Sequence, residues 1–223
     1  MQRPLWFALW CASLVLAIPT RAAEGRDPAY APVTDDPKLP RVLLIGDSIS
    51  INYTVAVREA LAGVANVHRI PENGGPTTNG LAKLGRWLGK GRWDVIHFNW
   101  GLHDLKLAGA RLHFVPLDAY ERNLRKLVKR LKVTNAKLIW ASTTPVPKGK
   151  LSPPRKPGDE EAFNRAAKKV MEENGVVIND LHALALTRLA EWQRPDNVHF
   201  TPEGSKELAA QVAAKIREAL KSR

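Results

Sequence analysis

A serine and a histidine that lie far apart in the chain stand in contexts that suit nucleophilic catalysis. Ser48 closes the turn Gly46–Ser48, which follows the apolar run Val42–Ile45, and a run of this length is typical of a buried strand. In an open α/β sheet, ligands bind at the carboxyl ends of the strands, where this hydroxyl would stand. Asp196 and His199, near the C-terminus, supply a carboxylate and an imidazole. The combination predicts a serine hydrolase with Ser48 as nucleophile, His199 as general base and Asp196 as orienting acid.

Short apolar runs alternate with helical patterns along the chain, and these predict the elements that position the reactive groups. We expect strands at 41–45, 66–70, 94–99, 136–142 and 176–179, and helices at 54–63, 79–89, 117–133, 159–174 and 205–222. Alternation of strands and helices favours right-handed crossovers and a parallel sheet that helices cover on both faces. The predicted fold class is therefore α/β, a three-layer α/β/α sandwich.

The N-terminal segment differs in composition from the rest of the chain. Residues 1–22 have the pattern of an export signal, in which a basic start precedes the apolar stretch Leu5–Ile18 and cleavage follows Ala22. The stretch is shorter than the roughly 20 residues that span a bilayer, which favours cleavage over an uncleaved membrane anchor. We expect a secreted or periplasmic protein without a stable membrane anchor, made of a proline-rich leader at 23–40 and one domain at 41–223.

Cysteine usage and charge narrow the possible chemistry. The only cysteine, Cys11, lies in the export signal, so the exported chain has no disulfide, thiolate metal site or cysteine nucleophile. The formal net charge is +12, and the basic run 124–132 is typical of a solvated helix face, although attraction to a polyanion stays open. No basic motif with interleaved aromatic residues indicates a nucleic-acid partner. No cluster of His, Asp and Glu has metal-ligand spacing, so we expect no metal and no other cofactor.

Four separated blocks resemble the SGNH (GDSL-type) hydrolases. The segment 42–50 is similar to the first block, whose serine is that family's nucleophile, and 196–199 is similar to the last, which carries its acid and base. The segment 73–81 resembles the second block, whose glycine, here Gly75, donates a backbone N–H to the oxyanion hole. The resemblance implies a five-stranded parallel sheet in the flavodoxin-like order 2-1-3-4-5. It also implies that the N–H groups of Ser48 and Gly75 bind the oxyanion.

The third block departs from the family pattern. Residues 101–104 stand where the family has Gly-x-Asn-Asp, so His103 replaces the asparagine that donates a side-chain N–H to the oxyanion. A neutral imidazole also presents one N–H, so His103 could keep this role. Asn99 could instead supply the amide, or the hole could have only two donors. We expect Trp100 to line the substrate cleft, and Asp47 to orient the serine loop or to act as a turn or cap residue.

The sequence thus predicts an exported serine esterase that hydrolyses small acyl esters, acetyl foremost, through an acyl-serine intermediate. The substrate would be a small-molecule or polysaccharide ester, and the lack of a long apolar lid favours a carbohydrate ester over a lipid. Two alternatives stay open. One is an acyltransferase that uses the same acyl-serine with a sugar hydroxyl as acceptor. The other is a carbohydrate-binding module that has lost catalysis, which only His103 suggests. No particular oligomeric state is indicated.

Overall fold

Strands and helices alternate through most of the protein, whose computed structural model describes residues 27–109 and 112–221. The export signal predicted at 1–22 lies outside these residues. In chain order the strands are β1 (Arg41–Ile45), β2 (Asn66–Arg69), β3 (Val95–Phe98), β4 (Leu107–Ala108), β5 (Leu112–His113), β6 (Lys137–Ala141) and β7 (Val177–Asn179). The helices are α1 (Ser48–Ala60), α2 (Thr77–Leu88), α3 (Leu117–Lys132), α4 (Asp159–Glu173), α5 (Leu181–Leu186), α6 (Leu189–Trp192) and α7 (Pro202–Lys221), and a 3₁₀ turn forms at Pro28–Tyr30.

The main sheet has five strands in the spatial order β2-β1-β3-β6-β7, and every neighbouring pair is parallel. Counted by its own strands only, this is the predicted order 2-1-3-4-5. Helix α1 packs against α7, and α3 packs against α2 and α4, so the sheet lies between two helical layers. The α/β/α fold class and the parallel topology are therefore confirmed.

The central strands explain why the sequence shows continuous apolar runs there. Strands β1 and β3 pair with each other in the middle of the sheet, and both are buried along nearly their whole length. A strand covered on both faces cannot alternate polar and apolar side chains. His97 in β3 is fully buried, with its Nε2 3.1 Å from Asn179 Nδ2. Burial lowers the pKa of His97 to about 3, so this imidazole is a neutral core group.

Helix α1 begins at Ser48, six positions before the helix predicted at 54–63. The carboxylate of Asp47 caps it, because Oδ1 accepts a hydrogen bond from the backbone N–H of Ile49 at 3.0 Å. Capping of this kind satisfies one of the N–H groups that a helix start leaves without a partner. Ser48 is consequently the first residue of a helix, placed just beyond the carboxyl end of β1.

Two features outside the main sheet were not predicted. Strands β4 and β5 form a small antiparallel hairpin after β3, and the short helices α5 and α6 lead from β7 towards α7. The hairpin touches the proline-rich loop 145–158, because the Leu107 backbone N–H donates to the Pro154 carbonyl at 2.9 Å. This contact holds the loop above the carboxyl edge of the sheet.

The described residues before β1, 27–40, pack along α1 and β2. Arg58 donates from Nη1 to the Pro28 carbonyl at 3.1 Å, and Asn66 donates from Nδ2 to the Asp36 carbonyl at 2.8 Å. Within 27–109 and 112–221, no helix combines the length and the apolar character needed to cross a membrane.

Candidate active site

Ser48 and His199 meet at the carboxyl edge of the sheet, although 151 positions separate them in the chain. Ser48 Oγ lies 2.7 Å from His199 Nε2, which is the distance of a good hydrogen bond. The serine is presented by the start of α1. The histidine lies in the turn before α7, where its carbonyl accepts a hydrogen bond from the Arg194 backbone N–H at 2.9 Å. The structure thus brings together the nucleophile and the base that the sequence predicts.

The acid predicted at Asp196 does not contact His199 in the structure. Asp196 is exposed and has a φ of 51°. Its Oδ1 accepts a hydrogen bond from the Lys150 backbone N–H at 3.3 Å. The carboxylate thus contacts the loop 145–158 at Gly149 and Lys150. Asp196 as the partner of His199 is therefore corrected: in the structure it is a contact of the loop.

The amide of Asn197 occupies the position expected for the acid. Asn197 Oδ1 lies 2.6 Å from His199 Nδ1 and also accepts from the His199 backbone N–H at 3.0 Å. The backbone contact fixes which end of the amide faces the ring. Because an amide oxygen only accepts hydrogen bonds, Nδ1 carries the proton, and Nε2 is free to accept the hydroxyl of Ser48.

Electrostatics keep His199 in its neutral, proton-accepting form. Burial lowers the pKa of His199, the Asp47 carboxylate opposes this shift, and the guanidinium groups of Arg155 and Arg194 add to it.

Asp47 itself is 4% exposed. Its role is the cap of α1, so the two roles considered for Asp47 coincide: the cap is what orients the serine turn.

Two backbone N–H groups are candidates for the oxyanion hole. That of Ser48 lies in the first turn of α1, where a helix has no acceptor of its own. Gly75 has a φ of 60°, and its N–H donates to Asn73 Oδ1 at 2.9 Å. A Cβ at this position would lie 2.5 Å from Asn79 Nδ2, so a larger residue would have to displace that side chain and would be strained at this φ. An oxyanion would have to replace Asn73 as the acceptor of the Gly75 N–H.

His103 lines the same cleft as Ser48 and His199. Its Nδ1 lies 3.0 Å from Lys106 Nζ. Since an ammonium group only donates hydrogen bonds, Nδ1 is the acceptor and Nε2 carries the proton. Burial lowers the pKa of His103, and Lys106, Arg155 and His199 lower it further, against the opposing charge of Asp47. His103 is thereby a neutral imidazole with one N–H available.

The alternative donor, Asn99, is engaged elsewhere. Its Nδ2 donates to the Ala141 carbonyl at 2.8 Å and lies 3.4 Å from Thr143 Oγ1. This amide therefore links the ends of β3 and β6. Asn99 is also not among the residues that line the cleft at Ser48.

Trp100 does not line the cleft. The prediction that it would, which rested on its position between Asn99 and Gly101, is therefore wrong. The side chain is 1% exposed and packs 5.8 Å from the ring of Phe98, centroid to centroid. It also fills the space above Gly80 in α2, where a Cβ would lie 2.8 Å from the indole. The second residue after β3 thus packs against α2, so the indole joins the core.

Most of the residues that form the cleft carry no signal in the sequence that would have identified them. The cleft has a volume of about 450 Å³. Apart from the residues described above, the cleft is also lined by one residue next to the β4–β5 hairpin and by five residues of the loop 145–158. These are Lys106, and then Lys150, Leu151, Ser152, Pro153 and Arg155. The sequence, with five prolines and three lysines at 145–158, predicts a surface loop near the carboxyl edge of the sheet, but no local pattern indicates which of its residues face the serine.

Buried Arg69 connects the turn that carries Ser48 with the second block. Its Nη2 donates to the carbonyls of Gly46 and Glu72, each at 3.2 Å, and its Nη1 donates to Ser50 Oγ at 3.0 Å. Gly46 lies two residues before Ser48. Arg69 therefore fixes the serine turn relative to the loop that carries Gly75.

Buried Asp104 connects the third block with α2. Both oxygens accept from the Thr77 backbone N–H, at 2.9 and 3.1 Å, and burial raises the pKa of Asp104 to about 7. Because His103 precedes Asp104, this contact holds the imidazole near the start of α2.

In the described residues, no group of three or more His, Cys, Asp or Glu side chains could hold a metal ion.

Comparison with known proteins gives one family match. Residues 44–207 match the model of the GDSL-like Lipase/Acylhydrolase family. No curated protein matches the chain.

Solved structures share the fold over most of this chain. An acetyl xylan esterase, AlAXEase, is 18% identical with a TM-score of 0.68, and the match covers 79% of this chain and 99% of that one. A lipase/acylhydrolase from Enterococcus faecalis is 19% identical with a TM-score of 0.67, covering 80% and 96%. A variant of an acetyl-xylooligosaccharide esterase from Geobacillus is 21% identical with a TM-score of 0.65, covering 79% and 94%.

Proposed function

Since the chain belongs to the GDSL-like lipase/acylhydrolase family, we propose that it is an exported serine esterase that removes small acyl groups, acetyl foremost, from a carbohydrate. The observation that carries the proposal is the 2.7 Å contact between Ser48 Oγ and His199 Nε2. A serine hydroxyl is a weak nucleophile until a base takes its proton, and this contact supplies the base.

The reaction follows from the positions of the side chains. His199 Nε2 takes the proton of Ser48 as Oγ attacks the ester carbonyl, and Asn197 Oδ1 holds the Nδ1–H of the resulting imidazolium. The imidazolium then gives its proton to the departing alcohol, which leaves an acyl-serine. A water molecule, deprotonated by Nε2, attacks the acyl carbon, and the proton returns to Ser48 as the free acid leaves.

Negative charge on the carbonyl oxygen needs donors that are already in place. We assign this role to the N–H groups of Ser48 and Gly75 and to Nε2–H of His103. The hydrogen bond from Lys106 Nζ to His103 Nδ1 supports the assignment, because it leaves Nε2 protonated. One such donor is worth about 3 kcal/mol of transition-state stabilisation.

The choice of an acetylated carbohydrate rests on similarity and on the shape of the site. Two of the similar structures are esterases of acetyl xylan or of acetyl-xylooligosaccharides. The cleft, about 450 Å³ in volume, has polar and charged walls, which suits a hydroxyl-rich alcohol better than a lipid chain.

The experiment uses residues 23–223 as purified protein. p-Nitrophenyl acetate and acetylated xylan are incubated with the wild type and with Ser48→Ala, and the free acetate is quantified. Ser205→Ala, a serine in α7 away from the cleft, is the matched control. We expect the wild type and Ser205→Ala to release acetate and Ser48→Ala to release none, with similar thermal unfolding of all three. Acetate release by Ser48→Ala at the wild-type rate would refute the mechanism, and acetyl transfer to added sugar without free acetate would favour an acyltransferase.

Export is tested separately. The full chain is expressed in a bacterial host, and the protein recovered outside the cytoplasm is measured by intact mass. A mass that begins at Ala23 supports the proposal. A protein that keeps 1–22 and stays with the cells contradicts it.

A further inference from the structure

The cleft at Ser48 is positively charged, which is unusual for a site that would bind a neutral sugar ester. Three cationic side chains line it, Lys106, Lys150 and Arg155. From their arrangement we propose that the natural substrate is an ester that carries an anionic group, such as a carboxylate, close to the ester bond. This inference rests on the esterase function proposed above and names the substrate class of the same site.

None of the three cations forms an ion pair with a carboxylate in the described parts of the chain. The acidic residue in the cleft wall is Asp196, and its carboxylate contacts the backbone N–H of Lys150 rather than an ammonium group. Asp47 lies below the cleft, but it is buried as the cap of α1. The cleft therefore contains more positive charge than its own carboxylates balance.

Arg155 carries the strongest part of the argument because it is only 9% exposed. Its Nε donates to the Leu102 carbonyl at 2.8 Å and its Nη1 to the Pro153 carbonyl at 3.2 Å. Its Nη2 has no hydrogen bond to a described residue. Burying a guanidinium group without an opposite charge is unfavourable. The Asp47 carboxylate opposes the effect of burial on the pKa of Arg155 but forms no ion pair with it, and a carboxylate is the group whose geometry fits the planar fork of Arg155. A bound anion would satisfy Nη2 and compensate the buried charge.

Lys106 places a second charge next to the reacting groups. It is half-buried, and its Nζ lies 3.0 Å from Nδ1 of His103. That contact uses one of three N–H donors, so others remain for a ligand. Because His103 and Ser48 line one cleft, an anion held by Lys106 would lie near the ester carbonyl.

Lys150 is held at the rim of the cleft by its backbone. Its N–H is bound by Asp196, and at Gly149, whose φ is 131°, a Cβ would overlap the same carboxylate. These contacts fix the backbone of the loop at Gly149 and Lys150, while the Lys150 ammonium group stays exposed. Together with the formal net charge of +12, an exposed cation at the rim attracts anions over a distance that depends on salt.

The test compares esters that differ only in one charge. On the alcohol side the pair is phenyl acetate and 3-carboxyphenyl acetate, and on the acyl side it is p-nitrophenyl butyrate and p-nitrophenyl hemisuccinate. Uncatalysed hydrolysis of each ester at the assay pH, which includes attack of the hemisuccinate carboxylate on its own ester, is subtracted. Each kcat/KM is then divided by the rate constant of hydroxide hydrolysis of the same ester, which corrects for intrinsic reactivity. We expect the anionic member of at least one pair to be preferred on the order of 10- to 100-fold at low salt, the range for hydrogen bonds to charged groups. The preferred pair tells which part of the substrate carries the charge.

Variants connect this preference to the cleft. Arg155→Met, Lys106→Met and Lys150→Met should each reduce the ratio of anionic to neutral kcat/KM, and added salt should reduce it in the wild type. The ratio is the readout because Lys106→Met also removes the partner of His103. Lys150→Met changes an exposed side chain and so keeps the test open if Arg155→Met does not fold. Lys129→Met, an exposed lysine of α3, is the control and should keep the wild-type ratio.

The outcomes separate this inference from the function on which it rests. Hydrolysis of the neutral esters with no preference for either anionic ester, at any salt concentration, overturns the inference and leaves the esterase intact. A preference that Lys129→Met reduces as much as Lys150→Met also overturns it, since the effect would then come from overall charge. Failure to hydrolyse any ester overturns both.

Discussion

Asn197 Oδ1 lies 2.6 Å from His199 Nδ1, while the carboxylate of the preceding residue, Asp196, faces the backbone of Lys150. An amide oxygen fixes the tautomer of the imidazole as a carboxylate does, but it adds no negative charge beside the imidazolium. The two candidates for the group that orients His199, Asp196 and Asn197, are thus neighbours in the chain. The kinetics of variants at these two positions distinguish them.

We expect Asn197→Ala to lower kcat/KM on the order of 100-fold, the lower end of what a positioned general base contributes. Asn197→Asp should restore much of the rate, because it keeps an acceptor for the Nδ1–H. Asp196→Asn retains an acceptor for the Lys150 N–H and tolerates the left-handed backbone, so its rate should stay within a few-fold of wild type. Steady-state kinetics on a neutral ester measure all three. A crippled Asp196→Asn beside a nearly normal Asn197→Ala would return the role to Asp196.

His103→Ala should lower kcat by on the order of 100- to 1000-fold with little change in KM, since the oxyanion contact forms mainly in the transition state. His103→Asn should recover part of the loss, limited by the shorter reach of the amide. Asn99→Ala removes a hydrogen bond to the Ala141 carbonyl and should reduce stability by about 1 kcal/mol with a much smaller effect on kcat. If Asn99→Ala is the inactive variant and His103→Ala is near wild type, the third donor is Asn99.

The acid limb of the pH–rate profile should report His199. Nε2 must be unprotonated to accept the Ser48 proton, and burial, Arg155 and Arg194 lower the pKa of His199. Activity should therefore persist below the ordinary histidine pKa of about 6.5 before it falls. Arg194→Gln removes one cation, so His199 should protonate at higher pH and the acid limb should move upward. Lys129→Gln, which changes a distant lysine, should leave the limb in place. An acid limb that does not respond to Arg194→Gln at low salt would contradict the coupling.

Arg69→Met should affect both stability and turnover. The guanidinium group binds the carbonyls of Gly46 and Glu72, so its loss should reduce the free energy of unfolding by on the order of 3 kcal/mol. Because these carbonyls flank the serine turn and the Gly75 loop, kcat should fall while KM changes little, and Arg69→Lys should rescue part of kcat. Urea unfolding and kinetics below the unfolding range give the two values.

Arg58→Met is the matched control for Arg69. Arg58 also donates to backbone carbonyls, those of Val67, Pro28 and Ala31, but these lie away from the cleft. It should lower stability and leave kcat unchanged. Equal losses of kcat in the two variants would mean that Arg69 acts only through stability.

Much of the fold was predictable because its signals are local. The apolar runs of β1 and β3 are continuous since both faces of a central parallel strand are covered, and alternation with helices gives the parallel order. The start of α1 was missed because Ile49–Asn52 do not display a clear helical apolar pattern. The deciding contact there is a single cap from Asp47 to the Ile49 N–H.

The candidate active site likewise has some features that the sequence determines and others that only the tertiary structure determines. The sequence alone determined the residue types at Ser48 and His199 and their places next to a strand and before the last helix. Only the tertiary structure decided that Asn197 rather than Asp196 contacts the imidazole, because Asp196 adopts a left-handed backbone conformation in this turn and its carboxylate binds the loop at Lys150. It also decided that Trp100 is core and that Arg155 lines the cleft. A side chain's type is written in the sequence, but its direction depends on backbone turns and on loops that pack across the sheet, and neither leaves a periodic pattern.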